Sequence, residues 1–372
     1  MSLNTRSIAA GDALAVLRAG WAAQADRGLM VSYMLHGRPG VGKTEIIRQL
    51  ADERGARLFD LRLTTIEPQD LRGLPYFDQA TRKTVWYRPE DLPDDPDQPA
   101  LLFLDELTAA APALQPAVYG LLQERRVGPH RLPDSVFVVA AGNTAEDGAV
   151  AYEMGTALSD RLVHLHIAAS AKDWLENYAV PQNLNPAVIA FIKTRPDLLE
   201  TTDRALQSGE MIAATPRSWT RVSDILAARP ERRHRDILVS GTVGEAVAAE
   251  FALVADEIAA SVQIADMMEA DPTHMWALYP ATMHGLNALA FGLIGGLDRD
   301  NAARSVEIMA GIRQLASKRD DPALARIPLA ELCTYGFELL IQKALDQGLG
   351  EAILATSAYR DYAEERRAAG LG

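Results

Sequence analysis

Cysteine is almost missing. The 372-residue chain has one, Cys333, so no internal disulfide can form and a disulfide-stapled scaffold is excluded. Cys333 lies among Leu329, Leu332, Tyr335, Leu339 and Leu340 in a helix-like stretch, where the expected role is a small buried hydrophobe in a reducing compartment rather than a catalytic thiol. Aromatic residues are scarce, at 6%. Long apolar runs are missing as well. The longest, Leu286 to Leu297, is broken by Asn287 and by glycines, whereas a membrane span needs about 20 apolar residues. The opening MSLNTRS has no basic region followed by an apolar stretch, so no signal peptide is read there and a cytoplasmic location is expected. Positive charge is in deficit, with 37 Lys plus Arg against 50 Asp plus Glu and a net charge of −13. That average field repels phosphodiester backbones and anionic lipid, which leaves only a local basic strip able to bind nucleic acid.

What remains is core-forming material: 48% hydrophobic and 23% charged, the composition of a globular protein whose length suggests two or three domains. From Tyr33 to about Ile167, short apolar runs alternate with helix-like segments, the rhythm of an open α/β sheet. Strands are expected at Ser32–His36, Arg57–Leu63, Ala100–Leu104, Val136–Ala141 and Leu162–Ile167, with helices at Lys43–Glu53 and Leu114–Glu124. After Ile167 the strand signals stop. Ser170 and Asp173 have the spacing of a capping box, and alanine- and leucine-rich helices follow to the end. Boundaries are expected near residue 169 and, more softly, near Pro230, where a basic, proline-containing connector breaks the pattern.

The chemistry is carried by an ordered set of short motifs. The run Gly37-Arg38-Pro39-Gly40-Val41-Gly42-Lys43-Thr44, followed by Glu45, fits a phosphate loop, with an apolar strand before it and an amphipathic helix after it. Glycines let the backbone turn its N–H groups toward phosphates at the positive end of the helix. Lys43 would reach the β- and γ-phosphates, and the Thr44 hydroxyl would ligate Mg²⁺. About sixty residues on, the apolar strand Leu101–Leu104 ends in Asp105 and Glu106. Asp105 is the candidate Mg²⁺ carboxylate and Glu106 the candidate that polarises an attacking water, at the strand end where doubly wound sheets place ligands. A third apolar strand ends in Gly142-Asn143-Thr144, from which the Asn143 amide could bond both the γ-phosphate and the water.

These motifs, with Leu158-Ser159-Asp160-Arg161-Leu162 and Ala214-Thr215-Pro216-Arg217-Ser218, are together similar to the ordered motif set of AAA+ ATPases, and the last two most resemble the MoxR branch. The resemblance spans about residues 10–230. It implies a P-loop NTPase doubly wound parallel sheet (an AAA+ core) over 1–169, with a hairpin insert near 74–90, and an all-α lid over 170–230; beyond it, amphipathic stretches such as Val243–Ile258, Met283–Leu293 and Ala302–Leu315 lead us to expect a C-terminal all-helical region over 231–372. It implies ATP and Mg²⁺ as ligands, Asn143 as sensor 1, Arg161 as the arginine supplied across a subunit interface, and Arg217 as sensor 2. It further implies a homo-oligomeric ring, commonly a hexamer, acting as a chaperone on a protein client, often beside a partner with a von Willebrand A fold. One position departs from the pattern: Leu162 stands where the branch more often has phenylalanine. Arg125 and Arg126 compete with Arg161 for the finger role, and a salt bridge to Asp160 or Glu153 is the plainer reading of Arg161.

Tyr76/Phe77 and Val85/Trp86/Tyr87 flank a polar tip and read as a β-hairpin with Asp78 to Lys83 as its turn. In the MoxR branch such inserts project toward the ring pore. Residues Arg125–Arg131 could form a second short hairpin. His164 and His166 share one strand face without a cysteine or carboxylate at ligand spacing, so no metal is expected on them. Two other readings stay open: a nucleotide-dependent scaffold with slow turnover, and a DNA-directed motor, opposed by the net charge but kept alive by Arg82, Lys83 and Arg88.

Overall fold

The structure is a computed structural model that describes residues 4–143 and 159–368. The chain divides into two compact units, one ending at Ser170 and the other beginning at Ala171.

The first unit is built on a parallel sheet. Its strands are β1 (Ser7–Ile8), β2 (Ser32–His36), β3 (Arg57–Arg62), β6 (Ala100–Asp105), β9 (Val136–Gly142) and β10 (Leu162–Ile167), in the spatial order β1-β10-β2-β9-β6-β3. Two antiparallel hairpins stand outside it, β4 (Pro75–Asp78) with β5 (Lys83–Trp86), and β7 (Arg126–Val127) with β8 (His130–Arg131). Every residue of β2, β6 and β9 is buried, which explains why these strands read as continuous apolar runs rather than alternating ones. On one face Tyr33, Leu35, Leu101, Phe103, Phe137 and Val139 pack against helix α1 (Ala10–Arg27) and helix α2 (Lys43–Glu53), whose Leu17, Trp21, Ile47 and Leu50 point inward. On the other face Met34, Leu102, Leu104, Val138 and Ala140 meet Leu114, Val118, Leu121 and Leu122. Each such large side chain, fully buried, contributes about 1.5–3 kcal/mol.

The expected 114–124 helix is shorter and wound in two ways. An α-helix, α3 (Pro68–Arg72), comes first in this part of the chain; helix α4 then covers only Gln115–Tyr119 and passes into a π-helical turn at Gly120–Glu124. Helix α1 and the edge strand β1 go beyond the expected elements. In β1 only Ser7 and Ile8 pair, to His166 and Ile167 of β10, too short a run for a sequence period to show.

The second unit is helical. The helices Pro186–Thr194, Pro216–Ala227 and Glu245–Ser261 each give one ring to a cluster of Phe191, Trp219 and Phe251, with centroids 5.3–5.5 Å apart. Residues on both sides of Pro230 therefore share a core. Helix Ala302–Lys318 packs on Leu329–Asp346, where Cys333 is buried and its thiol lies 3.3 Å from the Met309 carbonyl. No helix among the described residues is long and apolar enough to cross a membrane.

Candidate functional site

The strand order puts β2 between β9 and β10, so the loop leaving β2 opens at the point where connections depart in opposite directions, the usual ligand crevice of an open α/β sheet. That loop is Gly37–Gly42. A Cβ on Gly37 would lie 2.5 Å from the Ile167 carbonyl, so only glycine lets the loop leave the sheet this close to β10. Gly42 caps α2 at φ 111°, with no side chain bonded to the helix end. The first N–H groups of α2 are thus left for a ligand, and the helix dipole favours an anion there. Glu45 occupies the first turn of α2, and Val41 is buried beneath the loop.

Lys43 folds back over this loop. Its Nζ donates to the carbonyls of Gly37 and Arg38, the latter at 3.1 Å, and to Asn143 Oδ1 at 2.9 Å. Lysine and asparagine, 100 residues apart in the chain, therefore meet at the carboxyl ends of adjacent strands. Asn143 is itself held by its backbone N–H, which donates to Thr108 Oγ1 at 3.1 Å.

At the end of β6, Asp105 is buried, and its Oδ1 accepts from the Glu106 backbone N–H at 2.9 Å. Burial pushes its carboxyl above the ordinary carboxylate range, opposed by that hydrogen bond; nearby Asp60 and Glu106 push the same way as burial, and Lys43 opposes them. A buried carboxylate with like charges around it is short of positive charge, and with the Thr44 hydroxyl it offers the hard oxygen donors that suit Mg²⁺. Glu106 takes a left-handed backbone at φ 59°, uncommon for a non-glycine residue. Its carboxylate is drawn sideways to β3: Oε2 accepts from the Thr64 hydroxyl, and Arg62 lies 3.7 Å from Oε1. Thr64 and Arg62 are functional candidates that sequence reasoning missed. Only the pairing of Arg62 with Asp105 across β3 and β6 brings them to Glu106.

Arg161 stands elsewhere. In the β10–β2 register Leu162 pairs with Ser32, so Arg161 is at the amino end of the sheet while the phosphate loop begins at Gly37 beyond the carboxyl end. Five residues of strand separate them, about 16 Å at roughly 3.3 Å per residue, too far for one arginine to serve its own loop. Its guanidinium donates to Gln123 Oε1 at the protein surface. Asp160 is exposed, and Leu162 is buried; Thr144, Glu153 and Leu158 lie outside the described residues. Of the two rival arginines, Arg125 is buried with its Nη2 donating to the carbonyls of Pro133 and Val136. It braces the foot of β9 and is not available to a neighbour. Arg126 bonds to Gly128 of its own hairpin.

Arg217 belongs to the second unit. Thr215 and Ser218 form a capping box, Pro216 occupies the first position, and Arg217 projects exposed from the first turn, while Trp219 is buried with Nε1 donating to the Leu198 carbonyl. On the hairpin, Leu74, Phe77 and Tyr87 are exposed. Tyr76 stacks on Tyr87 at 4.2 Å, and Arg72 lies over Trp86 at 4.3 Å.

Comparison with known proteins agrees with this geometry. Residues 32–164 match the family described as ATPase family associated with various cellular activities (AAA). The mouse (Mus musculus) ATPase family gene 2 protein homolog B is 37% identical over 115 residues, 31% of this chain and 13% of the mouse protein. The Bos taurus homolog is 36% identical over 115 residues, 31% of this chain and 12% of the bovine one. The chain thus spans about an eighth of these relatives. A mutant RuvB from Thermotoga maritima shares 16% identity over 86% of this chain and 90% of its own, at a TM-score of 0.36, too loose a likeness to bear on function. The likeness to the AAA family thus covers residues 32–164, the stretch that holds the phosphate-loop motif, Asp105, Glu106 and Asn143.

Proposed function

We propose that the protein hydrolyses ATP with Mg²⁺ at interfaces between its own copies, in a ring, and couples that hydrolysis to remodelling or activating a protein client, as the MoxR-like motifs imply. The observation that carries the reading is the split placement of the charged groups. Lys43, Asn143, Asp105 and Glu106 gather at the carboxyl ends of the strands, and Arg161 stands at the amino end. A site of this kind becomes complete only when a second copy supplies its arginine.

In that site the loop N–H groups and Lys43 bind the phosphates, and Lys43 exchanges its carbonyl partners for the β- and γ-oxygens. Thr44 and Asp105 are the residues that would hold Mg²⁺, which supplies neutralising charge on those oxygens when bound. Asn143 fixes the γ-phosphate and the water. Glu106 must leave Thr64 before it can orient that water for in-line attack. Arg161 of a neighbouring copy compensates charge that develops in the transition state, an effect worth about 10³–10⁵ in rate in related phosphoryl transfers. Arg217 is proposed as the lid's contribution. The test is phosphate release from ATP. Wild-type turnover that vanishes in Glu106→Gln while nucleotide binding survives supports the reading, and turnover unchanged in that variant contradicts it.

The exposed rings of Phe77 and Tyr87, on the hairpin that carries Arg82 and Lys83 at its tip, favour one further reading, a motor on nucleic acid, since bases stack on aromatic side chains and cations attract the backbone. A salt titration of single- and double-stranded DNA binding separates the two, because a phosphate-driven complex weakens steeply with salt.

A further inference from the structure

Two histidines link the ends of the sheet that the proposed function keeps apart. His36 is the last residue of β2, directly before Gly37, and is buried. Its backbone pairs with Gly142, next to Asn143, on one side and with His166 on the other. Its side chain stacks on His164 of β10, with centroids 5.1 Å apart and an interplanar angle of 20°, and His36 Nε2 lies 2.8 Å from His164 Nδ1. The far nitrogen of His164, Nε2, lies 2.9 Å from the Ser159 carbonyl and 3.1 Å from its hydroxyl.

The protons can be assigned. A carbonyl oxygen only accepts, so His164 carries its hydrogen on Nε2 and donates it to Ser159. In a neutral ring Nδ1 is then a lone pair and must accept, so His36 donates from Nε2. The result is a directed chain, from His36 to His164 to Ser159, running from the root of the phosphate loop to the residue two before Arg161. A metal is not the explanation. His166 turns instead to Ser7 Oγ at 3.0 Å, and the described residues contain no group of three or more His, Cys, Asp or Glu placed to hold an ion.

We propose that His36 and His164 are positioning residues that tie the Ser159–Arg161 turn to the root of the phosphate loop, so that each copy presents Arg161 to its neighbour at an angle set by its own nucleotide loop. The inference rests on the reading of Arg161 as an arginine acting across an interface. It adds a reason for two polar rings on a sheet face that elsewhere packs Met34 and Leu162. Apolar residues there would bury as well but could not grip a backbone carbonyl.

The test is a double-mutant cycle on the full chain, read by ATP turnover and nucleotide KM. His164→Phe removes both hydrogen bonds at similar ring size and is expected to lower kcat on the order of tenfold with KM unchanged, because a misplaced transition-state group costs rate rather than ground-state binding. Arg161→Ala should cost more, and His164→Phe added to it should cost nothing further, since the two act as one unit. His164→Gln, which keeps a donor toward Ser159, should recover most of the loss and guards against a folding defect in the phenylalanine variant. Additive losses in the double variant, or a glutamine variant no better than phenylalanine, would overturn the relay while leaving the trans arginine standing. If Arg161→Ala alone leaves turnover intact, the arginine reading fails and the relay with it.

Discussion

The two ends of one parallel sheet differ sharply. At the carboxyl ends of β2, β6 and β9 lie a lysine, an amide and two carboxylates, Lys43 Nζ donating to Asn143 Oδ1 at 2.9 Å and the Glu106 N–H to Asp105 Oδ1 at 2.9 Å. At the amino ends lie Arg161, resting on Gln123, and Arg125, buried against the backbone of its own domain. Arg38 and Arg62 belong to the carboxyl end, whereas Arg161 is a strand length away from it; in the proposed function the two ends act as complementary halves supplied by different copies. Parallel pairing makes that separation unavoidable, because a residue leading into one strand and a residue following its neighbour end up a strand length apart. In the second unit, described helices are fastened by aromatic packing and by ion pairs such as Arg195–Glu250 and Arg235–Asp256, and Arg217 is its one proposed contribution to the chemistry.

Replacing groups at the carboxyl end should give the largest effects. Lys43→Ala removes the cation facing the phosphates and should abolish measurable ATP binding, while Glu106→Gln should keep binding and lower turnover about 10²-fold or more; equilibrium binding of a fluorescent ATP analogue beside phosphate release distinguishes the two. Asp105→Asn should also stop turnover, yet stabilise the nucleotide-free protein. The Asp105 carboxyl is held above its ordinary range by burial, so its contribution to stability is present at low pH and is lost as pH rises through the raised value. An amide cannot ionise and escapes that loss. Thermal unfolding at neutral pH should therefore rise, by about 2–4 °C for each kcal/mol regained, and the gain should shrink as the pH is lowered.

Smaller effects should follow from the groups that hold Glu106 aside. Thr64→Val removes a hydroxyl from its carboxylate and should change basal turnover only a few-fold, about 1 kcal/mol in barrier, upward if Thr64 restrains Glu106 from the water. Smallest of all should be Arg82 and Lys83 replaced together by serine. They sit on the hairpin turn, where Asp78 accepts from Thr81 Oγ1 at 2.6 Å and Arg82 has φ 55°, and basal turnover should stay within a few-fold of wild type. A collapse of the basal rate would mean that the hairpin helps to build the nucleotide site.

The carboxyl end of the sheet was largely legible in the sequence because its chemistry is local. Glycine spacing, a strand ending in two carboxylates and a strand ending in an amide are each contiguous, and the strands are apolar throughout because both faces are covered. The amino end was not. That Arg125 is buried and Arg126 is not depends on the left-handed turn at Arg125 after a π-helical segment, which no spacing announces. Thr64 with Glu106, and His36 with His164, are 42 and 128 residues apart; each becomes a contact only through strand order. The two-residue β1 and the shortened 114–124 helix were likewise set by tertiary pairing rather than by period.

The most direct test of the central claim, that the two halves of a site come from different copies, is a mixing experiment. Glu106→Gln spoils the carboxyl end and leaves Arg161 intact, while Arg161→Ala does the reverse. Each variant alone should hydrolyse ATP at a small fraction of the wild-type rate. Mixed under assembling conditions, they should regain turnover well above the sum of the separate rates, because some interfaces then pair an intact Glu106 with an intact Arg161. A mixture no more active than its components, or an Arg161→Ala protein that is fully active alone, would contradict the account.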